Sequence, residues 1–121
     1  MADQALRLTG ETVSQLQSLR ALVKFGPQGL YQAPTDAVRQ SSAALIDALL
    51  DRLLVGLPRY PTKSFVLGEF KSTLAEFESS DSEEQDQACA YIENIMDVLG
   101  IESSDGLLSQ WRYGFDPSAK V

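Results

Sequence analysis

The chain has no histidine and a single cysteine, Cys89. Without histidine it lacks the side chain most used for proton transfer near neutral pH and the commonest metal ligand. One cysteine excludes an internal disulfide and is in keeping with a cytoplasmic protein. Long apolar runs are also missing: "AALI" and "LLVGL" are among the longest, far from the roughly 20 residues that cross a bilayer. The N-terminal "MADQALRLTGETVS" has an early acid and no apolar stretch, so it does not read as a secretory signal. Positive charge is scarce as well. From Ser72 to Gln110 there is no lysine or arginine, while that stretch holds ten of the 17 acids and the chain carries a net charge of −7. Phosphate-led nucleic-acid binding and attraction to anionic membranes are therefore poor fits.

What is present suits one globular domain over residues 1–121. Apolar residues make up 44% and charged residues 22% of the sequence, enough for one core without staples. Ends of about 1–8 and 116–121 are expected to be short and flexible. The apolar spacing is helical throughout and predicts an all-α bundle of about five helices. Thr9 or Thr12 starts the first, with a face of Val13, Leu16, Leu19, Leu22 and Val23. "FGPQGLYQAP" breaks it. Thr35 and Asp36 start the second, whose stripe is Ile46, Leu49, Leu50, Leu53, Leu54 and Leu57, ended by Gly56 and Pro58. Thr62 or Ser64 starts a third, with Gly68 read as a close helix crossing. Ser82 and Gln85 fit a capping box for a fourth. Its buried face is Ala88, Ile92, Ile95, Met96 and Leu99, and Gly100 stops it. Ser103 or Ser104 then caps a last short helix over 105–113, with Gly106 in its first turn read as close backbone packing.

Few residues suggest chemistry. "DSEEQDQACAYI" is not a calcium loop, because Asp86 stands at its sixth position and Ile92 at its twelfth. Cys89 lies beside the apolar face with acidic neighbours, which reads as a core thiol. Carboxylates four residues apart occur as Asp47 with Asp51 and as Glu93 with Asp97. At about 100° per residue Asp86, Ala90, Glu93 and Asp97 form one stripe. Like charges so placed cost a few tenths of a kcal/mol, and Asp97 sits at the negative end of the helix dipole. Three readings stand: an arginine from another helix or solvent neutralises the stripe, a basic partner does, or two carboxylates serve hydrolysis. The terminal "SSDGLLSQWRYGFDP" places Trp111 beside Leu107 and Leu108 on a docking side. Tyr113, Phe115 and Arg112 are left at the rim between Asp105 and Asp116, and Trp, Tyr and Arg are the types that dominate binding hot spots.

The run from Ile95 to Asp97, then Leu99 to Gly106, Trp111, and Tyr113 to Pro117 resembles the C-terminal signature of a bacterial family of small acidic helical proteins of unknown function. The resemblance implies a bacterial, compact single domain and, by analogy, an immunity protein that neutralises a toxin. The expectation is a non-catalytic protein binder without cofactor or metal, contacting its partner through Asp86, Glu93, Asp97, Asp105, Arg112 and Tyr113. The alternatives are a homodimeric adaptor associating through Phe25, Leu30 and Tyr31, and a small hydrolase using paired carboxylates.

Overall fold

A computed structural model of the protein describes residues 3–26, 31 and 34–114. Among them lie five helices and no strand: α1 (Gly10–Ala21), α2 (Asp36–Gly56), α3 (Lys63–Glu76), α4 (Ser82–Leu99) and α5 (Leu107–Tyr113). The all-α bundle expected from the apolar spacing is the fold. Three threonines start three helices. The side-chain oxygens of Thr9, Thr35 and Thr62 accept the amides of Thr12, Val38 and Phe65, each cap being worth about 1 kcal/mol.

The fourth helix starts differently. Asp81, not Ser82, occupies the N-cap and makes no side-chain cap bond. Ser82 is already helical, so the capping box read from Ser82 and Gln85 does not form. Gln85 instead donates to the carbonyls of Phe77 at 3.0 Å and Glu78 at 3.3 Å. It thereby satisfies the carbonyl end of α3 from the first turn of α4.

Helix α2 is the centre, packed against α1, α3 and α4, while α5 lies across α3 and α4. Its Ile46, Leu49, Leu50, Leu53 and Leu57 are buried, facing Val66, Phe70, Leu74 and Phe77 of α3 and Ala88, Ile92, Ile95, Met96 and Leu99 of α4 in one cluster. Each fully buried side chain of this kind contributes about 1.5–3 kcal/mol. Helix α1 buries only Thr12 and Leu16. Leu22 and Val23, expected on its core face, are 59% and 79% exposed because the helix ends at Ala21.

The chain turns inward just afterwards. Phe25 is fully buried at a left-handed φ of 61°. Its ring stacks on Phe77 at 6.0 Å and meets Tyr31 edge-on at 6.4 Å, while its amide donates to the Tyr91 hydroxyl at 2.8 Å. Phe25 and Tyr31 are thus core residues and not a self-association surface; Leu30 lies outside the described residues.

The N-terminal segment is docked as well. The Leu6 amide donates to Pro61 at 2.7 Å and the Lys63 amide to Gln4 at 2.9 Å, and Leu6 is buried. Asp3 accepts the amide of Ser64 at 3.1 Å and its hydroxyl as well. These bonds hold the Asp3 carboxyl below its ordinary range. Residues 3–8 therefore do not form the loose end the composition suggested; the tail 116–121 lies outside the described residues.

Helix α4 stops at Gly100, whose φ of 72° suits glycine. The Ile101 amide reaches Met96 at 2.9 Å and the Gly100 amide Asp97 at 3.3 Å, the paired pattern of a Schellman stop with Ile101 buried beneath it. Gly106 precedes α5 at φ 83° and is the N-cap. Its left-handed backbone is one that glycine adopts without strain. The Ser104 hydroxyl does accept the Leu108 amide, at 3.3 Å.

Gly68 is no helix crossing: a Cβ there would meet nothing within 4 Å. The close approach is at Gly56, where a Cβ would collide with the Phe65 ring. Gly68→Ala is accordingly expected to raise stability by about 1 kcal/mol in urea unfolding. The same change at Gly56 should lose that gain to the displaced ring.

Candidate functional site

Helices α4 and α5 build the site. The 18 residues of α4 set Asp86, Cys89 and Glu93 along the side that faces α5. Helix α5 presents Leu108, Ser109, Arg112 and Tyr113 from the other wall of a groove of about 290 Å³. The Arg112 guanidinium closes one end: its Nε donates to Asp86 at 2.5 Å, and it also lies over the Tyr113 ring at 5.4 Å. This pair raises the affinity of Arg112 for its proton. Tyr113 itself is 62% exposed.

Four of the six residues singled out in the sequence, Asp86, Glu93, Arg112 and Tyr113, meet in this groove. Asp97 lies one turn further along the same stripe and is exposed. Asp105 does not belong with them. It pairs with Lys63 at 3.0 Å, tying the α4–α5 link to the start of α3. Phe115 and Asp116 lie outside the described residues. On the docking side Leu107, Leu108 and Trp111 are half-buried against the core, and α5 has no fully buried residue. Trp111 lines a separate depression with Lys71 and Ala75 of α3 and Glu78 just beyond it.

The acid-rich stretch keeps most of its charge. Of its ten acids, Asp86 and Asp105 have cationic partners, and Glu84 is buried, accepting from the Tyr31 hydroxyl at 2.9 Å. Burial and this neighbouring carboxylate push the Tyr31 phenol up. The other seven, Glu76, Glu78, Asp81, Glu83, Glu93, Asp97 and Glu102, are exposed and have no ion-pair partner among the described residues. Their summed field makes this end of the molecule attractive to cations.

The other carboxylate pair is committed to structure. Arg20 contacts Asp47 at 3.2 Å and Asp51 at 2.8 Å. Lys24, 2% exposed, reaches Asp47 at 2.6 Å and donates to the carbonyls of Arg20 at 3.1 Å and Leu22 at 2.9 Å. Lys24 thus closes the carbonyl end of α1 and neutralises α2 at once. Among the described residues no three His, Cys, Asp or Glu stand together as a metal site.

A second depression, of about 440 Å³, was not found from the sequence. It lies between the end of α2 and α3, with Val55, Tyr60 and Phe65 as its apolar part and Arg52 and Arg59 at its edge. Two signals were available in retrospect: Val55 falls off the leucine stripe of α2, and "PRYP" places Arg59 beside Tyr60.

These features define a small helical bundle with an acidic, aromatic-edged groove. The chain belongs to the family described as Domain of unknown function (DUF4844), whose model matches residues 7–116. The match takes in nearly the whole chain, well beyond the C-terminal stretch on which the resemblance was read. The chain is also similar to a DUF3571 family protein from Acinetobacter baumannii AYE, known from a crystal structure. The two are 26% identical with a TM-score of 0.76, over 85% of this chain and 89% of that one. No curated protein matches. No helix among the described residues is long and apolar enough to cross a membrane.

Two outcomes follow from the site. Burial, then Asp86 and Glu93, push the Cys89 thiol up to about 11. Because the thiolate is the nucleophile, alkylation by iodoacetamide should be slow at pH 8 and rise towards a midpoint near that value. Asp47→Asn leaves the buried Lys24 ammonium without its carboxylate and should cost roughly 3 kcal/mol in urea unfolding.

Proposed function

We propose that the protein is a non-catalytic binding module that engages a cationic protein through the α4–α5 groove. In its most concrete form it is an immunity protein covering the active region of a bacterial toxin. The observation that carries the reading is the state of Glu93 and Asp97. They are exposed, four residues apart, and without a cation among the described residues, beside an exposed tyrosine fixed by an arginine. A like-charged pair near the negative end of a helix works slightly against stability. A basic partner removes that cost and gains rate and specificity from the field. The groove supplies what the charges alone lack, a half-buried Leu108 and the Tyr113 ring as contact area. The chemistry of the groove favours recognition over turnover. Its thiol is held protonated, and its one paired carboxylate, Asp86, is engaged by Arg112.

The test is a pull-down from the source organism's lysate with the tagged chain at low and high salt. One dominant co-purifying protein is expected, weakened by salt and lost with Glu93→Lys plus Asp97→Lys. The same set of proteins recovered with the double variant would overturn the reading.

A further inference from the structure

The depression between α2 and α3 sits on elements that the acidic groove does not use. Its apolar part is unusual for this molecule's surface. Val55 is 75% and Tyr60 54% exposed, and both are among the few large apolar side chains left to solvent. Phe65 forms the floor. Its ring lies where a side chain at position 56 would stand, so only glycine there lets the ring settle against the end of α2. The Tyr60 and Phe65 rings are 5.8 Å apart and tilted, and together form one wall.

The charges around it are settled differently from those on α4. Asp51 is held by Arg20 at 2.8 Å, and Glu69 by Arg52 at 2.6 Å. Arg52 also donates to the Thr73 hydroxyl at 2.8 Å. Arg59 is exposed beside the Tyr60 ring, 6.0 Å from its centroid, and has no ion-pair partner among the described residues. The lining itself is balanced, Asp51 and Glu69 against Arg52 and Arg59, and Arg59 is the one charge of the four without an ion-pair partner among the described residues. An apolar patch edged by tyrosine and arginine has the composition of a binding hot spot, and that arginine is complementary to an anion.

We propose that this depression is a second docking surface, for a protein segment that sets a branched or aromatic apolar side chain next to a carboxylate. The apolar side chain lies over Val55 and Phe65 between the two rings, and the carboxylate meets Arg59. The surface is independent of the acidic groove and selects a partner of opposite charge.

The experiment is a random-peptide display selection on the full chain, with binding of the enriched peptides measured on variants. Expected are peptides sharing an apolar anchor with Asp or Glu within a few residues. Their affinity should fall about tenfold or more for Val55→Glu and for Arg59→Glu and stay unchanged for Glu93→Lys plus Asp97→Lys. Both tested positions are exposed, so circular dichroism should show an intact helical fold in each variant. Several results would overturn the proposal. These are no enrichment above an unrelated control protein, enrichment of basic peptides, or affinity indifferent to Val55→Glu and Arg59→Glu. A wild-type dimer in sedimentation that Val55→Glu dissolves would overturn it too, giving the surface to a second copy of the chain. Loss of binding only with the Glu93 and Asp97 changes would assign the peptides to the acidic groove instead.

Discussion

Phe25 holds the bundle's first helix to the rest. Helix α1 contributes little burial of its own, only Thr12 and Leu16, too little apolar area to stay docked by itself. What fixes it is the turn that follows. Phe25 enters the core between Phe77 of α3 and Tyr91 of α4, and the Tyr91 hydroxyl takes up its amide. A left-handed backbone at a residue with a side chain costs of order 1–2 kcal/mol. Full burial of a phenylalanine contributes about 1.5–3 kcal/mol, and each good aromatic pair adds about 0.5–1.5. The packing wins, and the strained turn persists. One residue earlier, Lys24 is drawn under the surface by the same turn, and its ammonium is balanced by Asp47 and two carbonyls. The two residues together join α1 to α2, α3 and α4.

This constraint also separates what the sequence makes legible from what it does not. Thr9, Thr35 and Thr62 as starts, Gly100 as a stop and the leucine stripe of α2 are local statements: a residue and its neighbours within one or two turns decide them. Several of the failures involve partners far along the chain. Nothing near Lys24 in the sequence, three residues past α1, announces the Asp47 carboxylate that it meets. Glu84 reads as one of several first-turn acids until Tyr31 covers it. Gln85 reads as a capping-box residue, but the carbonyls that it satisfies belong to α3. Gly68 and Gly56 are indistinguishable by composition, and only the position of the Phe65 ring tells them apart. The candidate site was partly legible for the same reason. The stripe Asp86, Glu93, Asp97 follows from helical geometry, whereas the Arg112 that closes on Asp86 and the Lys63 that takes Asp105 do not.

The uneven charge gains a physical sense from those pairings. Half of the eight cations of the first 71 residues pair with acids of the same part, Arg20 with Asp47 and Asp51, Lys24 with Asp47, Arg39 with Asp36, and Arg52 with Glu69. Among the described residues only Lys63 and Arg112 cross to the acid-rich stretch. One crossing lands in its middle, at Asp86, and the other near its end, at Asp105. Glu93 and Asp97 between them stay exposed on a helix whose opposite face is firmly buried, so the core easily carries the few tenths of a kcal/mol that their repulsion costs.

Whether the groove is a preformed surface depends on how firmly α5 is held, and magnitudes decide it. In the Arg112–Asp86 and Lys63–Asp105 pairs the carboxylate is exposed and the cation partly covered, and with one partner open to water such pairs are worth about 0–1 kcal/mol each and weaken with salt. Half-burial of Leu107, Leu108 and Trp111 against the core contributes more, since one fully buried side chain of that size is worth about 1.5–3 kcal/mol. Apolar docking therefore places α5, and the ion pairs set the rotation of its outer residues. Salt that screens Glu93 and Asp97 from a cationic partner also loosens Arg112 from Asp86 and from the Tyr113 ring, but leaves the helix where it is. The salt dependence of binding at this groove then reports the partner's charge and the ordering of its rim, and not the unfolding of α5.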